Sequence, residues 1–419
     1  MWKITVQGES VEPLRFKVTL FREQEYREPC RSWNKVSLTR LRDLVLALRP
    51  AYQLTMVNTT MTHTLADFGS LESLSVLNLT NNQLEDLPYS FVGLKNLVNV
   101  KLKNNRLTRI PAVLFRLDKL QALDVSHNPI SKVEEFPAQW GKMMILWMDQ
   151  TNLTGLPESI ANLRRLRVLS VKNSRLRELP ESIGKCSSLR CLFLSNNRIT
   201  HVPESLGRCH TLREIDLMTN SLKSLPESIY QHEGLRFLNI SWNNFRELPE
   251  SIGGMQQLSE LNADHNQLER IPKSIGTMAS LDLLSLCYNQ VQFFPNSILA
   301  LQQSTLVMAM DNPFIELTPR KRLKVPAPLK DVGLLTVERL YGTPQAIPKG
   351  AIPATLIEDM STLLKPCESI GCSGKYTENT MIWDVSLTHP KFDPHHLPVE
   401  FNVCSSRCYN HSPAYPVPN

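Results

Sequence analysis

The sequence predicts an α/β fold: a leucine-rich-repeat solenoid of horseshoe form, with a parallel sheet on its concave face. An N-terminal cap and a C-terminal helical plus zinc-knuckle-like tail are expected at its two ends. Three observations predict this. At 419 residues the chain is too long for one ordinary globular core. A strict 23-residue period runs from about Leu74 to Leu317. Within each period an LxL alternation, as in Leu77 and Leu79 or Leu192 and Leu194, marks a short strand with one buried face.

The repeat reads LxxLxLxxNxLxxLPxSIxxLxx. Stepping 23 residues from Asn82 gives Asn105, Asn128, Thr151, Ser174, Asn197, Asn220, Asn243, Asn266, Asn289 and Asn312, eleven repeats in all. The carboxamide suits a turn that must be bonded in its own repeat and in the neighbouring one. The hydroxyls of Thr151 and Ser174 can do part of this. Each return segment opens on a proline, for instance Pro88, Pro157 and Pro203. Proline presets φ and lacks a donor that no ladder uses there. The S-I-x-x-L segment that follows is long enough for one 3₁₀ or α turn. Each repeat offers roughly seven apolar side chains at about 1.5–3 kcal/mol apiece. That barely offsets the ordering entropy, so repeats fold only when stacked. The third repeat departs from the pattern, with Glu134 at the proline position and Pro137 displaced, and a bulged convex side is expected there.

The predicted organisation is a capping region over 1–70, with a degenerate extra unit near 52–70, and repeats over 71–318. A helical box over 319–365 and a cysteine-rich tail over 366–419 follow. WKITVQ and RFKVTLF read as strands, and Leu38, Leu41, Leu44, Val45 and Leu48 have helical spacing before Pro50. Leu54, Met56 and Met61 keep the repeat register.

Charge and composition exclude little by themselves. The formal charge is +6, with 42% apolar and 21% charged residues. No run of about 18 apolar residues occurs, so no membrane span is expected. The first residues, MWKITVQGES, lack the apolar core of a secretion signal, so the nine cysteines are expected to be reduced or metal-bound. No phosphate loop, nucleophile elbow or HExxH motif stands in the chain, and an enzyme is not expected.

The outward strand positions form the expected binding surface for a protein partner. They give a basic start at Lys101, Lys103 and Arg106, and a middle with Trp147, Arg175, Phe193 and Arg198. The end carries Phe237, Trp242 and Tyr288 among Glu214, Asp216, Glu260 and Asp264. Exposed Trp, Tyr and Arg are the residue types of protein-interface hot spots. Direct nucleic-acid binding is not expected, because Asp124, Asp149 and Asp216 would oppose phosphate. The repeated Glu158, Glu181, Glu204, Glu227 and Glu250 of the LPES motif read as a solvated edge. Cys186 and Cys209, one period apart, read as small core hydrophobes.

In the tail, Cys367-x4-Cys372 and Cys404-x3-Cys408 are two short pairs separated by 31 residues. Each pair can supply one knuckle of a tetrahedral site for a structural Zn²⁺. Free buried thiols are the alternative, and a nearby histidine could replace one sulfur.

The stretch APLKDVGLLTVERLYGTPQAIPKGAIPATLIEDM, followed by CESIGC and VCSSRCY, resembles the tail of the leucine-rich-repeat protein one family. Members of that family are substrate receptors of cullin-2 RING ubiquitin ligases. The resemblance implies an Elongin C-binding box at Pro328, Leu329, Gly333 and Val337, with Gly333 standing where the family usually has Cys. A register around Leu334 and Leu335 stays open. It implies a cullin-binding half at Ile352, Pro353, Leu356 and Met360, matched in full. It further implies Elongin B as a partner through Elongin C, a protein substrate in the replisome (the replicative helicase at replication termination) and a nuclear location. Two alternatives remain: a cap over the last strand, and a signalling scaffold of the Ras-binding leucine-rich-repeat type.

Overall fold

The computed structural model describes residues 2–10, 15–22, 31–36, 51–62, 66–302, 304–314, 365–366, 375–376, 380–385 and 397–402. The chain divides into two compact units. One comprises Met1–Phe245 with Gly254–Ala263, the other Arg246–Gly253 with Asp264–Asn419.

In the first unit, β1 (Trp2–Ser10), β2 (Arg15–Arg22) and β3 (Arg31–Val36) form an antiparallel set. β1 then pairs in parallel with β4 (Ala51–Val57), Ile4 opposite Leu54. WKITVQ and RFKVTLF thus lie in β1 and β2, whereas the helical spacing over 38–48 lies outside the described residues. From β4 onward every strand is parallel and one repeat apart. They are β5 (Val76–Asn78), β6 (Asn99–Lys101), β7 (Ala122–Asp124), β8 (Ile145–Trp147), β9 (Val168–Ser170), β10 (Cys191–Phe193), β11 (Glu214–Asp216), β12 (Phe237–Asn239) and β13 (Glu260–Asn262). Leu54 opposes Leu77, so β4 continues the register of the repeats.

The strands are three residues long for a local reason. The central residue of each, such as Leu77, Val100, Leu123 or Leu192, is fully buried, and the next inward residue already begins the turn. The turn closes on the conserved carboxamide. Asn105 donates through Nδ2 to Leu79 O and Leu102 O, both at 2.9 Å, and its Oδ1 accepts from Leu84 N at 3.0 Å. Asn128, Asn197, Asn220 and Asn243 repeat this three-way bond. At Thr151 only Oγ1 to Met148 O (3.0 Å) is kept, and Ser174 Oγ moves in beside it at 3.0 Å.

Each return segment starts on an extended proline, with φ −66° and ψ 146° at Pro88, and makes one 3₁₀ turn, as at Tyr89–Gly93, Glu181–Lys185 and Glu204–Arg208. Glu227–Tyr230 is a single α turn instead. Neighbouring returns pack backbone to backbone: a Cβ on Gly184 would lie 2.3 Å from the Ser205 carbonyl oxygen, which leaves room only for glycine.

In the third repeat, where a bulge was expected, the return turn starts three residues late and is packed with rings. Pro137 caps a turn at Ala138–Lys142 that buries Trp140 completely. The indole Nε1 donates to Leu114 O at 3.0 Å, and the ring meets Phe115 edge-on at 5.2 Å and Phe136 at 6.2 Å. Cys186 and Cys209 are core residues: their thiols donate to Ile160 O and Ile183 O at 3.4 Å. Burial, and secondarily the neighbouring Cys209, pushes the Cys186 thiol up to about 12. Burial pushes Cys209 up to about 11.

In the second unit, β14 (Leu283–Ser285) and β16 (Leu306–Met308) pair in parallel, Leu284 opposite Val307. Asn312 closes its turn as in the first unit, donating to Leu286 O and Ala309 O and accepting from Val291 N. On the return side β15 (Phe294–Pro295) pairs in parallel with a strand of the tail. In chain order the tail strands are β17 (Lys365–Pro366), β18 (Lys375–Tyr376), β19 (Thr380–Val385) and β20 (Leu397–Asn402). The partner of β15 is β20, and β20 also pairs antiparallel with β19. Pro328, Leu329, Gly333, Val337, Ile352, Pro353, Leu356, Met360, Cys367, Cys372, Cys404 and Cys408 all lie outside the described residues.

Candidate protein-binding face

The strand period of two decides which side chains are available. With the middle residue of each strand buried, its flanking residues stand outward. Lys101, Trp147, Phe193 and Phe237 occupy such flanking positions and are half-buried. Lys103, Arg175 and Arg198 are exposed in the turns. Lys172 Nζ sits 4.5 Å above the Phe193 ring, so this cation rests on an aromatic face rather than standing free in solvent.

A second feature was not read from the sequence. In every repeat the residue before the conserved polar position is left-handed. Asn81, Asn104, His127, Gln150, Asn173, Asn196, Thr219, Trp242, His265, Tyr288 and Asp311 all have φ between 51° and 57°. The conformation is built in, because the amide of this residue reaches the next rung: Asn81 N to Lys103 O (2.9 Å), Gln150 N to Lys172 O (2.8 Å) and Tyr288 N to Met310 O (2.9 Å). Asparagine tolerates the left-handed region, and its side chains can ladder, as Asn104 Nδ2 does to Asn81 Oδ1 at 3.0 Å. Trp and Tyr do not tolerate it well; the region costs roughly 1–2 kcal/mol for an ordinary L-residue. Yet Trp242 and Tyr288 occupy it with half of their surface exposed, 50% each. Asn fills this eighth repeat position in only four of the eleven repeats, so the sequence gives little sign of the left-handed turn.

In the second unit Tyr288 stacks flat on His265, with centroids 4.2 Å apart and planes 9° from parallel. A hydrogen bond to Asp311 raises the Tyr288 hydroxyl above its usual value, and the charge of Asp311 adds to this. Leu306 and Met310, beside it on the last rung, are also exposed.

The LPES glutamates are exposed but engaged. Glu158 accepts from Ser182 N at 3.1 Å, and Glu250 accepts from Lys273 N and Ser274 N at 3.0 and 2.8 Å. Each carboxylate therefore caps the turn of the following repeat, where the free amides and the turn dipole favour a negative charge. For Glu250, burial alone would raise the carboxyl, but the Ser274 and Lys273 amides, with the Ser274 side chain and the Lys273 charge, together hold it below its usual value.

Among the described residues no group of three or more His, Cys, Asp or Glu is placed to hold a metal ion. No described helix is long and apolar enough to cross a membrane.

Comparison with known proteins agrees with the repeat geometry. Residues 141–224 and 200–306 match the leucine-rich repeat region family, and residues 73–94 match the leucine-rich repeat family. Among solved structures, a leucine-rich-repeat protein of Leptospira interrogans is 25% identical at a TM-score of 0.50, over 66% of this chain and 82% of that one. An internalin from Listeria monocytogenes is 18% identical at a TM-score of 0.56, over 65% and 78%. The Arabidopsis receptor kinase HAESA, solved with a peptide hormone and a co-receptor, is 28% identical at a TM-score of 0.52, over 62% of this chain and 45% of its own. No curated protein matches the chain. Scaffolds of this kind are generally non-catalytic protein-interaction domains. With its register, its asparagine-closed turns and these matches, the array has the fold of a leucine-rich-repeat solenoid, and residues 73–94 and 141–306 are leucine-rich repeats.

Proposed function

We propose that the chain is a non-catalytic receptor that holds a protein on its strand face. The observation that carries this is the pair Trp242 and Tyr288, each half exposed in a left-handed conformation that an aromatic residue adopts only at a cost. Strain of that kind, with little core burial to offset it, is typical of side chains kept for contact. In the first unit Lys101, Lys103, Trp147, Arg175, Phe193, Arg198 and Phe237 are contact residues beside Trp242. A relative in fold, HAESA, holds a peptide hormone and a co-receptor.

The tail motifs support a finer reading. Leu329 and Val337 would enter a groove of Elongin C, with Elongin B following, and Ile352-Pro353 with Leu356 and Met360 would present one apolar stripe to cullin-2. The chain would then be the substrate receptor of a nuclear cullin-2 ubiquitin ligase, its substrate a replisome protein. Affinity capture from cell extract tests this: wild type is expected to bring down Elongin C and cullin-2, and a Leu329→Ala, Pro353→Ala variant to lose both. Wild type capturing neither would end the ligase reading, and equal capture by both proteins would end the motif placement. Cys367, Cys372, Cys404 and Cys408 are proposed to hold one structural Zn²⁺. About one zinc per purified chain is expected, and under about 0.3 would refute it, since structural sites bind tightly.

A further inference from the structure

One column of the first unit carries arginine on four consecutive repeats. The residue preceding each strand is Arg167 before β9, Arg190 before β10, Arg213 before β11 and Arg236 before β12. These four are consecutive rungs of one backbone ladder. Arg190 N donates to Arg167 O at 2.8 Å, Arg213 N to Arg190 O at 2.8 Å, and Arg236 N to Arg213 O at 2.9 Å. The same column holds Gln121 and Met144 before them and Ser259 after, so the charge is confined to four repeats.

Like charges on neighbouring rungs repel. Other charged side chains of the unit find a partner one repeat away, as Asp86 meets Arg109 at 3.2 Å and Glu158 accepts from Ser182 N at 3.1 Å. In the arginine column three members are exposed without an ion pair or side-chain hydrogen bond among the described residues: Arg167, Arg190 and Arg236. Arg213 is half-buried and fixed, donating to Leu212 O and Gly234 O at 2.9 and 3.0 Å. Lys185 and Arg208, closing the 3₁₀ turns that lead into β10 and β11, are exposed and add to the same charge.

We propose that this column binds an acidic, extended segment of a partner protein that runs across the strands. The inference rests on the protein-binding reading above and names the chemistry of the partner. Strands about 4.8 Å apart spread four guanidinium groups over about 14 Å, the length of some five extended residues. The guanidinium fork suits carboxylates, which it can grip with two parallel bonds. Glu214 and Asp216 on β11 stand beside and beyond Arg213 on the strand face. They oppose a nucleic-acid strand, which is charged at every unit, but leave room for a peptide whose acidic side chains alternate with neutral ones.

Fluorescence anisotropy on the full chain tests this, with a labelled peptide of alternating Glu and Ser and a thymidine oligonucleotide of equal charge as probes. Arg167→Ser, Arg190→Ser, Arg236→Ser together are expected to weaken peptide binding about tenfold or more. Lys132→Ser, Arg177→Ser, Lys223→Ser, which remove the same charge on the other side of the strands, are expected to change it less than about twofold. The peptide is expected to bind more tightly than the oligonucleotide. The proposal is overturned if wild type does not bind the peptide, if both triple variants weaken it equally, or if the oligonucleotide binds as well. Capture of Elongin C and cullin-2 by the arginine triple variant is expected to match wild type, so failure of the column and failure of the ligase reading give different results.

Discussion

Trp140→Ala is expected to destabilise the array by about 4 kcal/mol, a large fraction of what a folded domain has to lose. The indole is completely buried, and it fills the one return segment whose turn begins three residues late. Truncation removes the ring from Phe115 and Phe136 and leaves Leu114 O without the donor it now has at 3.0 Å. The two losses can be separated. Trp140→Phe keeps most of the packing but not the donor, and should cost about 1–2 kcal/mol. Chemical denaturation followed by circular dichroism gives both values. Because repeats couple only to their neighbours, the change should appear as an earlier or separate unfolding phase, as well as a lower midpoint. An exposed residue gives the contrast: Trp242→Ala should shift the midpoint by less than about 0.5 kcal/mol. If Trp140→Ala behaves like Trp242→Ala, the third repeat is not held by its rings.

Trp140 also shows where sequence reading stops. Glu134 at the proline position and the displaced Pro137 announce an irregular return segment, and the bulge follows from counting residues. Trp140 itself stands at the twenty-first repeat position, in register with Leu94, Leu117 and Leu163, so its burial was legible; that an indole there also donates to Leu114 O beside a late turn was not. The strands, the asparagine turns and the single 3₁₀ turns were legible because each repeats under the same constraint, and a period exposes it. The left-handed residue was not legible, since Asn stands there in only four of eleven repeats and the other seven carry six other residue types. The LPES glutamates look like solvated charge in one dimension. Only the stacking of repeats brings Glu250 against the amides of Lys273 and Ser274, and turns a surface residue into a cap. The arginine column is a property of the ladder in the same way, since its members are 23 residues apart and meet only when the strands pair.

Asn128→Ala should cost about 3–5 kcal/mol, and the comparison with its own neighbour makes the test sharp. Asn128 is buried, with Oδ1 accepting from Leu107 N at 2.9 Å and Nδ2 donating to Leu102 O and Val125 O, both at 2.9 Å. Alanine leaves one amide and two carbonyls without these partners in a place water does not reach, at about 1–3 kcal/mol per stranded group, not fully additive. Asn128→Asp should be at least as harmful, because a carboxylate keeps the acceptor but points charge at two carbonyls. One repeat later the same position is Thr151, which makes a single 3.0 Å bond to Met148 O and shares the rest of the turn with Ser174 Oγ. Thr151→Ala therefore strands less and should cost about 1–1.5 kcal/mol. Urea midpoints of the two alanine variants decide the matter. A cost at Asn128 at least twice that at Thr151 fits a turn closed by a three-way carboxamide. Equal costs would mean that the turns are held by strand pairing and core packing alone, and that asparagine recurs there for its tolerance of the neighbouring left-handed residue.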